Sequence, residues 1–246
     1  MHTQKEKAMK KMELMKMTMH DLKAYLERSK TIIIPIGATE EHSEALPLGT
    51  DALAAEALAI KLGEITDRVV APTINIGNCA SITYRFPGTM SISPINLINY
   101  LKDYIKSLHF HGFRNFFFVN GHGGNISVLR SAFDELAEVL TNTKFLVVSW
   151  WLMDELKELY DNGGHAGRGE VSMMLYLHED LVEKEYFTEE KRPVPKFYVT
   201  NDLAEKYITK KGIINDSQEG SKELGEKLFN AAVNAMAKQL KELEAS

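Results

Sequence analysis

Residues 31–51 read TIIIPIGATEEHSEALPLGTD, an apolar run that stops at a glycine and is followed by acidic and histidine side chains. The run Ile32–Ile36 is β-branched and is closed by Gly37, a pattern that predicts a buried strand leading into a loop. Loops that follow such strands frequently carry functional residues. The stretch therefore predicts one strand of a sheet and marks the loop after it as a candidate site.

Helical and strand-like patterns alternate along the rest of the chain. Helical spacing is found over residues 17–29, 51–64, 95–112, 126–140, 170–178 and 217–244. Extended patterns are found over residues 31–36, 69–77 and 144–151 and in the run FFFV at 116–119. Strands separated by helices of this length predict an α/β fold, with a largely parallel sheet and helices on both faces.

Composition indicates a globular protein. The chain has 246 residues, 44% hydrophobic and 26% charged, and its net charge of −5 gives no electrostatic reason to expect nucleic acid or an anionic membrane as a partner. Cys79 is the single cysteine, which excludes an intrachain disulfide and fits a reducing compartment. No apolar run approaches the roughly 20 residues of a membrane span. We expect a cytoplasmic protein, with residues 1–12 as a disordered extension and residues 13–246 as one domain.

The loop after the first strand offers three candidate metal ligands. Ligands bind beyond the carboxyl ends of parallel strands. Residues i and i+2 of an extended chain share a side, so Glu40 and His42 can face one centre while Glu41 faces away. Asp51 follows a Pro- and Gly-containing turn and can rejoin them. The alternatives are that Asp51 is a helix N-cap and that the acidic residues are solvated.

Two further segments place a histidine among glycines. In FFFVNGHGGN, His122 follows a buried strand and has no bulky neighbour to block a ligand; the alternative is a tight strand-to-helix turn. The dinucleotide and P-loop glycine patterns are both missing. In NGGHAGRGEVS, His165 lies in a glycine-flanked flexible loop, and Glu170 begins an apolar helix whose first turn favours a carboxylate in any case.

Five segments occur in the order that is typical of one family. They are PIGATEEH, LPLGTD, FPGT at 86–89, NGHGGN at 120–125 and HAGRGEVS at 165–172. Together they resemble the creatininase (creatinine amidohydrolase) family over roughly residues 30 to 180. The resemblance implies a three-layer α/β/α sandwich around a mostly parallel mixed sheet. It also implies a homo-oligomer, such as a hexamer.

The resemblance further implies a dinuclear metal hydrolase. Carried over by position, Glu40 and His122 hold one metal, His42 holds the other, and Asp51 bridges both. In creatininase proper another acid follows the N-G-H histidine by two residues, but Gly124 occupies that position here. We assign Glu170 as the replacement ligand. Two divalent ions per chain, Zn²⁺, Mn²⁺ or Fe²⁺, suit such mixed ligands.

The chemistry implied is hydrolysis of an amide C–N bond by a metal-bridged hydroxide. His165 is assigned as the proton shuttle, with Glu170 as a second catalytic residue. Backbone N–H groups of Gly123 and Gly124 are assigned to the oxyanion. The substrate pocket is completed by Ser81, Tyr84, Trp150 and Trp151, although the tryptophans equally fit core packing.

The substrate class is predicted only broadly, as a cyclic amide or a formamide of a small molecule. Ser43, Ala45 and Arg168 depart from the family pattern, and with Gly124 they argue against creatinine itself. A formamide hydrolase that resembles the deformylases of flavin and deazaflavin biosynthesis is an equally serious hypothesis. Two further hypotheses are a non-catalytic ligand-binding relative and a metal phosphoesterase.

Overall fold

A computed structural model describes residues 12–159, 164–190, 192–196, 199–214 and 217–246. The predicted disorder of the N-terminal extension concerns residues that, except for residue 12, lie outside this set. Among the helices of the described residues, none combines the length and the apolar character that crossing a bilayer requires.

Four parallel strands form the sheet, in the order β2-β1-β3-β4. They are β1 (Thr31–Ile36), β2 (Val69–Val70), β3 (Asn115–Asn120) and β4 (Lys144–Ser149). Ile36 pairs with Asn120, and Asn120 pairs with Ser149, so three strands end side by side at one edge. An isolated antiparallel bridge joins Thr39 to Met90 beyond that edge. The loops that leave these strand ends are therefore brought together.

Six α-helices surround the sheet in the described part of the chain. They are α1 (Met19–Arg28), α2 (Thr50–Thr66), α3 (Pro94–Phe110), α4 (Asn125–Ala137), α5 (Arg168–Leu177) and α6 (Lys222–Ala245). Capping residues mark where two of these helices start. A Thr18–Asp21 capping box precedes α1, and Ser93 caps α3 ahead of a proline at its first position.

Both faces of the sheet are covered by apolar side chains. Ile33 and Phe117 point into a core shared with α2, α5 and α6, whereas Ile34 and Phe118 point into a core shared with α1, α3 and α4. Alternate residues of a strand face opposite sides, so continuous apolar runs are what a sheet buried on both faces requires. The predicted three-layer α/β/α class is confirmed, and we retain the prediction that residues 13–246 form one domain.

Of the predicted boundaries that differ from the structure, three are informative. The extended pattern at 69–77 yields only the two-residue β2, because Pro72 has no N–H to donate, and Ile74 makes a single bridge to Ile36. The strand predicted to reach residue 151 ends at Ser149, where Trp150–Leu152 turns into a 3₁₀-helix. The last helix starts at Lys222 rather than 217, because the Ser221 hydroxyl accepts a hydrogen bond from Leu224 N–H and caps it.

At the opposite edge of the sheet, Glu244 ties the end of α6 to the strands. Arg68 donates two hydrogen bonds to its carboxylate, of 2.5 and 2.9 Å, and the Thr31 hydroxyl donates a third of 2.7 Å. Partial burial raises the pKa of Glu244, but these bonds outweigh burial and the net pKa is lowered. The charged form of Glu244 thus stabilises the fold.

We expect Glu244→Gln to lower the free energy of unfolding by about 1 kcal/mol near neutral pH, because both side chains of the Arg68 pair are about a quarter exposed and partly screened. Because the pKa of Glu244 is lowered in the folded protein, its charged form stabilises the fold fully at pH values above the ordinary glutamate pKa of 4.5. This stabilisation is lost as the pH falls through the folded-state pKa. The difference between variant and parent should therefore shrink in acid. Urea unfolding at several pH values measures it. The exposed Glu242→Gln is the control, and an equal loss there would contradict the assignment.

Candidate metal centre

Two glycines let the start of α2 pack against the ends of β1 and β3. A Cβ at Gly121 would lie 2.1 Å from the Asp51 carbonyl oxygen, and one at Gly37 would lie 2.4 Å from Ala52 N. Only glycine fits such close backbone contacts. Asp51 lies in the first turn of α2, whereas the N-cap position belongs to Gly49. The N-cap alternative for Asp51 is therefore wrong, and its carboxylate is free to face the strand ends.

The Asp51 carboxylate lies between two histidines. Its Oδ1 is 3.1 Å from His42 Nε2, and its Oδ2 is 2.9 Å from His122 Nδ1. Asp51 is 3% exposed, His42 0% and His122 8%, so all three groups are withdrawn from bulk water. The Asp51 carboxylate, in the first turn of α2, thus lies between a histidine that follows β1 and a histidine that follows β3.

Backbone carbonyl groups orient both histidines. His42 Nδ1 lies 3.1 Å from the Glu40 carbonyl oxygen, and His122 Nε2 lies 2.9 Å from that of Asn78. Because a carbonyl oxygen only accepts, the ring nitrogen that faces it carries the proton. The other nitrogen of each ring, which faces Asp51, is left to bind a metal. This arrangement is the usual outer-sphere support of metal-ligating histidines.

Glu40 completes the His122 side of the cluster. Its Oε2 lies 2.9 Å from His122 Nδ1, while Oε1 accepts a hydrogen bond from the buried Thr83 hydroxyl. Asn120 holds the backbone of His122, accepting from its N–H at 3.1 Å and donating to its carbonyl at 2.9 Å. Both side chains are therefore fixed before any ligand arrives.

Glu170 lies on the His42 side of the cluster. Its Oε2 is 3.7 Å from His42 Nε2 and also accepts a 2.6 Å hydrogen bond from Ala166 N–H. The second contact ties the loop before α5 to the first turn of that helix. Glu170 thus has the local role that any first-turn acid can have, and it also faces the metal-ligand candidates.

Electrostatics in the cluster favour bound cations. Burial lowers the pKa of His42 and of His122, but nearby carboxylates outweigh burial and raise both pKa values well above the usual range. Burial raises the pKa of Asp51, yet the two histidines lower it overall. Buried carboxylates that raise the pKa of neighbouring histidines favour a positive charge at this place, either a proton or a metal ion. In the described residues, the ion pairs of Glu40, Asp51 and Glu170 are all with histidines.

The donor set fits divalent metal ions. His42 Nε2 and Asp51 Oδ2 are buried without a hydrogen-bond partner in the described residues, a costly arrangement that coordination would relieve. Donor atoms of His42, Asp51 and Glu170 lie within 4.8 Å of one another, as do those of Glu40, Cys79 and His122. Mixed nitrogen and carboxylate donors suit Zn²⁺, Mn²⁺ and Fe²⁺.

His165 is held beside this cluster rather than carried on a free loop. Its Nε2 lies 2.6 Å from the Glu41 carbonyl oxygen and 3.3 Å from Glu41 Oε1. Its ring centroid is 4.3 Å from that of His42, and its carbonyl accepts a 2.8 Å bond from Ile214 N–H. The bond to Glu41 leaves Nδ1 of His165 available for proton exchange.

The predicted substrate residues differ widely in exposure. Trp150 is 2% exposed and packs in the α2–α5–α6 core, so its environment is that of the core-packing alternative. Trp151 is partly buried, and its ring lies 4.0 Å from the position of a Cβ on Gly123. Tyr84 is 65% exposed, and Ser81 is partly exposed in the same loop. Trp151 is thus the aromatic residue that borders the glycine turn.

The Gly123-Gly124 pair gives a matched test of the site. A Cβ at Gly124 would lie 2.0 Å from the Asn78 carbonyl oxygen and 2.6 Å from His122 Nε2, so a side chain at this position requires its neighbours to move. We expect Gly124→Ala to destabilise the fold by about 1–3 kcal/mol and to lower metal content, because it displaces the carbonyl that orients His122. Elemental analysis and thermal unfolding measure both. Gly123→Ala has room for its methyl group, so an equal effect there would contradict this explanation.

Three residues near the cluster were not predicted as part of the site. Thr83 holds Glu40, the buried Cys79 lies beside Glu40 and His122, and Glu41 contacts His165. Burial raises the pKa of the Cys79 thiol. Glu41 was predicted to face away from the metal-ligand candidates; it is only 5% exposed, and its carboxylate contacts His165. No local signal links Glu41 to His165, because the two residues are distant in sequence.

The sequence profile of the Creatininase family, described as creatinine amidohydrolase, matches residues 15–240. The chain belongs to the creatininase family. It is 31% identical to the mycofactocin precursor peptide peptidase of Mycolicibacterium smegmatis, over 85% of this chain and 84% of that protein. It is 25% identical to the creatinine amidohydrolase of Pseudomonas putida, over 86% and 88% of the two chains.

Solved structures of creatininase share the fold of this family member. A crystal structure of creatinine amidohydrolase superposes with a TM-score of 0.83 at 24% identity, covering 94% of this chain and 97% of the other. A structure described as the Mn form of creatininase gives a TM-score of 0.84 at 24% identity, covering 94% and 98%. A mutant creatininase of Zn-Zn type is also similar in fold. The predicted family is confirmed.

Proposed function

We propose that the protein is an amidohydrolase that binds two divalent metal ions per chain and hydrolyses an amide C–N bond of a small molecule. The observation that carries the proposal is the position of Asp51, whose two oxygens lie 3.1 Å from His42 and 2.9 Å from His122. A carboxylate whose two oxygens each face an imidazole nitrogen has the arrangement that a bridging ligand requires. The family membership supports a hydrolase.

The two ions would be held by five side chains. Glu40 and His122 would bind one ion, His42 and Glu170 the other, and Asp51 both. Divalent ions bound in this way lower the pKa of water toward neutrality and polarise a substrate carbonyl. Zn²⁺, Mn²⁺ and Fe²⁺ all suit these donors. The predicted homo-oligomer and cytoplasmic location are kept as parts of this proposal.

Residues around the ions would handle protons and charge. His165 keeps its Nε2 proton on the Glu41 carbonyl, so Nδ1 is the atom that would pass a proton to the departing nitrogen. Gly123 and Gly124 lie at the start of α4, where backbone N–H groups have no partner within the helix. Those groups would donate to the oxyanion that forms on the amide carbonyl.

The substrate is proposed as a cyclic amide or a formamide, including a formamide of the kind found in flavin and deazaflavin biosynthesis. A second candidate is a peptide bond of a short peptide. The observation that favours it is the 31% identity to a protein named as a precursor peptide peptidase, compared with 25% to one named as a creatinine amidohydrolase. All of these candidates share the same bond type.

A substrate screen tests the proposal. Full-length protein is stripped with a chelator, reloaded with Zn²⁺, Mn²⁺ or Fe²⁺, and assayed for amine release from cyclic amides, formamides and short peptides, with phosphate esters alongside. We expect amine release that depends on added metal. Phosphate release without amine release would support the phosphoesterase hypothesis and overturn the proposal. Metal binding without turnover of either class would support a non-catalytic, ligand-binding role.

A further inference from the structure

Cys79 lies beside one half of the metal centre. Its sulfur, a carboxylate oxygen of Glu40 and a ring nitrogen of His122 are within 4.8 Å of one another, and all three side chains are buried. Donors to one tetrahedral ion lie roughly 3.5 Å apart, given metal–ligand bonds of about 2.0–2.3 Å. Small side-chain movements would therefore bring the thiol to the spacing that a shared ion requires.

The surroundings of Cys79 are those of a ligand rather than of a core residue. A buried free cysteine usually packs as a small apolar side chain. Cys79 is 2% exposed, yet it belongs to neither of the two apolar cores on the faces of the sheet. Instead, the ionisable groups of His122, Glu40 and Asp51 lie close enough to interact with its thiol.

The backbone around Cys79 is fixed, so its position does not depend on a metal. Cys79 N–H donates a 3.0 Å hydrogen bond to Ser91 Oγ, and the Thr83 hydroxyl contacts both the Cys79 carbonyl and Glu40. The preceding residue, Asn78, receives a bond from His122 Nε2 through its carbonyl. One short loop therefore supplies a thiol and also orients two neighbouring ligands.

A second observation points to a ligand at this place. Asp51 Oδ2 is buried and has no hydrogen-bond partner in the described residues, although it lies 2.9 Å from His122 Nδ1. That nitrogen also faces Glu40 Oε2 at 2.9 Å. The carboxylates of Asp51 and Glu40 thus both face His122 Nδ1, and the Cys79 thiol lies within 4.8 Å of the donor atoms of Glu40 and His122. Carboxylate, imidazole and thiolate are all donors that a four-coordinate ion accepts.

We propose that Cys79 Sγ is a ligand of the ion held by Glu40 and His122, so that this position prefers thiophilic divalent metals such as Zn²⁺ or Co²⁺ over Mn²⁺. The inference rests on the proposed metal centre. On binding, the thiol loses its proton to solvent and the thiolate donates to the ion. The other position, with His42, Asp51 and Glu170, has only nitrogen and oxygen donors and accepts Mn²⁺ as well. The two positions of one centre therefore differ in metal preference.

Cobalt substitution tests the inference without relying on activity. Chelator-stripped full-length protein is loaded with Co²⁺, and its absorption spectrum and cobalt content are recorded. A thiolate bound to Co²⁺ gives a near-ultraviolet charge-transfer band that nitrogen and oxygen ligands do not give. Because Cys79 is the single cysteine of the chain, such a band has one source. We expect the band in the parent protein and its loss in Cys79→Ser, with the visible cobalt bands retained.

Metal competition adds a second measurement. We expect Cys79→Ser to reduce the preference for Zn²⁺ over Mn²⁺ by on the order of 10-fold or more, since a soft ligand is replaced by a hydroxyl. Parent protein that binds cobalt without the near-ultraviolet band overturns this inference and leaves the proposed function intact. Protein that binds no cobalt, zinc or manganese overturns both. The spectrum of the parent protein alone shows whether Cys79 binds the ion, even if the serine variant folds poorly.

Discussion

Asp51→Asn is expected to lower metal-dependent amide hydrolysis by at least roughly 100-fold and to lower metal content, because even loss of an outer-sphere partner of a metal ligand costs on the order of 10–100-fold. Asp51 faces His42 and His122 with different oxygens, so the amide at this position removes the charge shared by both halves of the centre. Turnover and elemental analysis of the same preparation measure the two effects together.

The control for Asp51 lies on the same helix. Glu56→Gln makes the same chemical change at an exposed position of α2 and should leave both activity and metal content unchanged. Asparagine keeps the shape of the buried side chain, so circular dichroism should remain that of the parent. Full activity with unchanged metal content in Asp51→Asn would refute the bridging role.

His165→Ala is expected to lower kcat by about 10²–10⁴-fold, the range that general acid–base catalysis contributes, while both ions are retained. His165 contacts Glu41 and lies beside the His42 ring, but the close pairs of the metal-ligand candidates are formed without it. Steady-state kinetics with an active amide, together with metal content, separate the two roles.

A distant histidine serves as the control for His165. His111 is exposed at the end of α3, near the start of β3 and hence at the opposite edge of the sheet, and His111→Ala should be silent. If His165→Ala loses metal along with activity, His165 is a ligand and not a proton shuttle. Donor atoms of His165, Glu40 and His42 lie within 4.8 Å of one another, so His165 is close enough to be a ligand. The metal content of the variant therefore distinguishes the two roles.

The fold could be predicted from the sequence because its signals are local. The run at Ile32–Ile36 is apolar at every position, as a strand covered on both faces must be, and FFFV repeats the pattern in β3. The start predicted at residue 95 is one residue from the observed start of α3 at Pro94, which Ser93 caps, whereas the start of α6 after the capping Ser221 was missed by five residues. The prediction failed at 69–77, where single bridges replace a strand, because pairing with a distant partner decides whether extended chain becomes sheet.

The candidate ligands could be predicted for a related reason. Parallel strands end at one edge, so Glu40 and His122, each a few residues beyond a strand, were expected to meet. Their roles beyond proximity came from the family resemblance. The contact of Asp51 with His42 and His122 depends on Gly37 and Gly121, which let α2 approach the strand ends.

The supporting residues could not be predicted. Cys79 and Thr83 lie in the long connection between β2 and α3, whose path depends on contacts such as that of Asn78 N–H with Asn125 Oδ1 at 3.1 Å. Glu41 faces His165, which is held in place by the hydrogen bond from Ile214 N–H to the His165 carbonyl. Such contacts join distant parts of the chain and leave no periodic signal.

Metal stoichiometry tests the central claim most directly. Full-length protein is stripped with a chelator, reloaded with Zn²⁺ or Mn²⁺, freed of excess metal and subjected to elemental analysis. We predict two ions per chain in the parent protein, and fewer than one in Asp51→Asn. Less than about one ion per chain in the parent protein, even after reloading, would contradict a dinuclear centre.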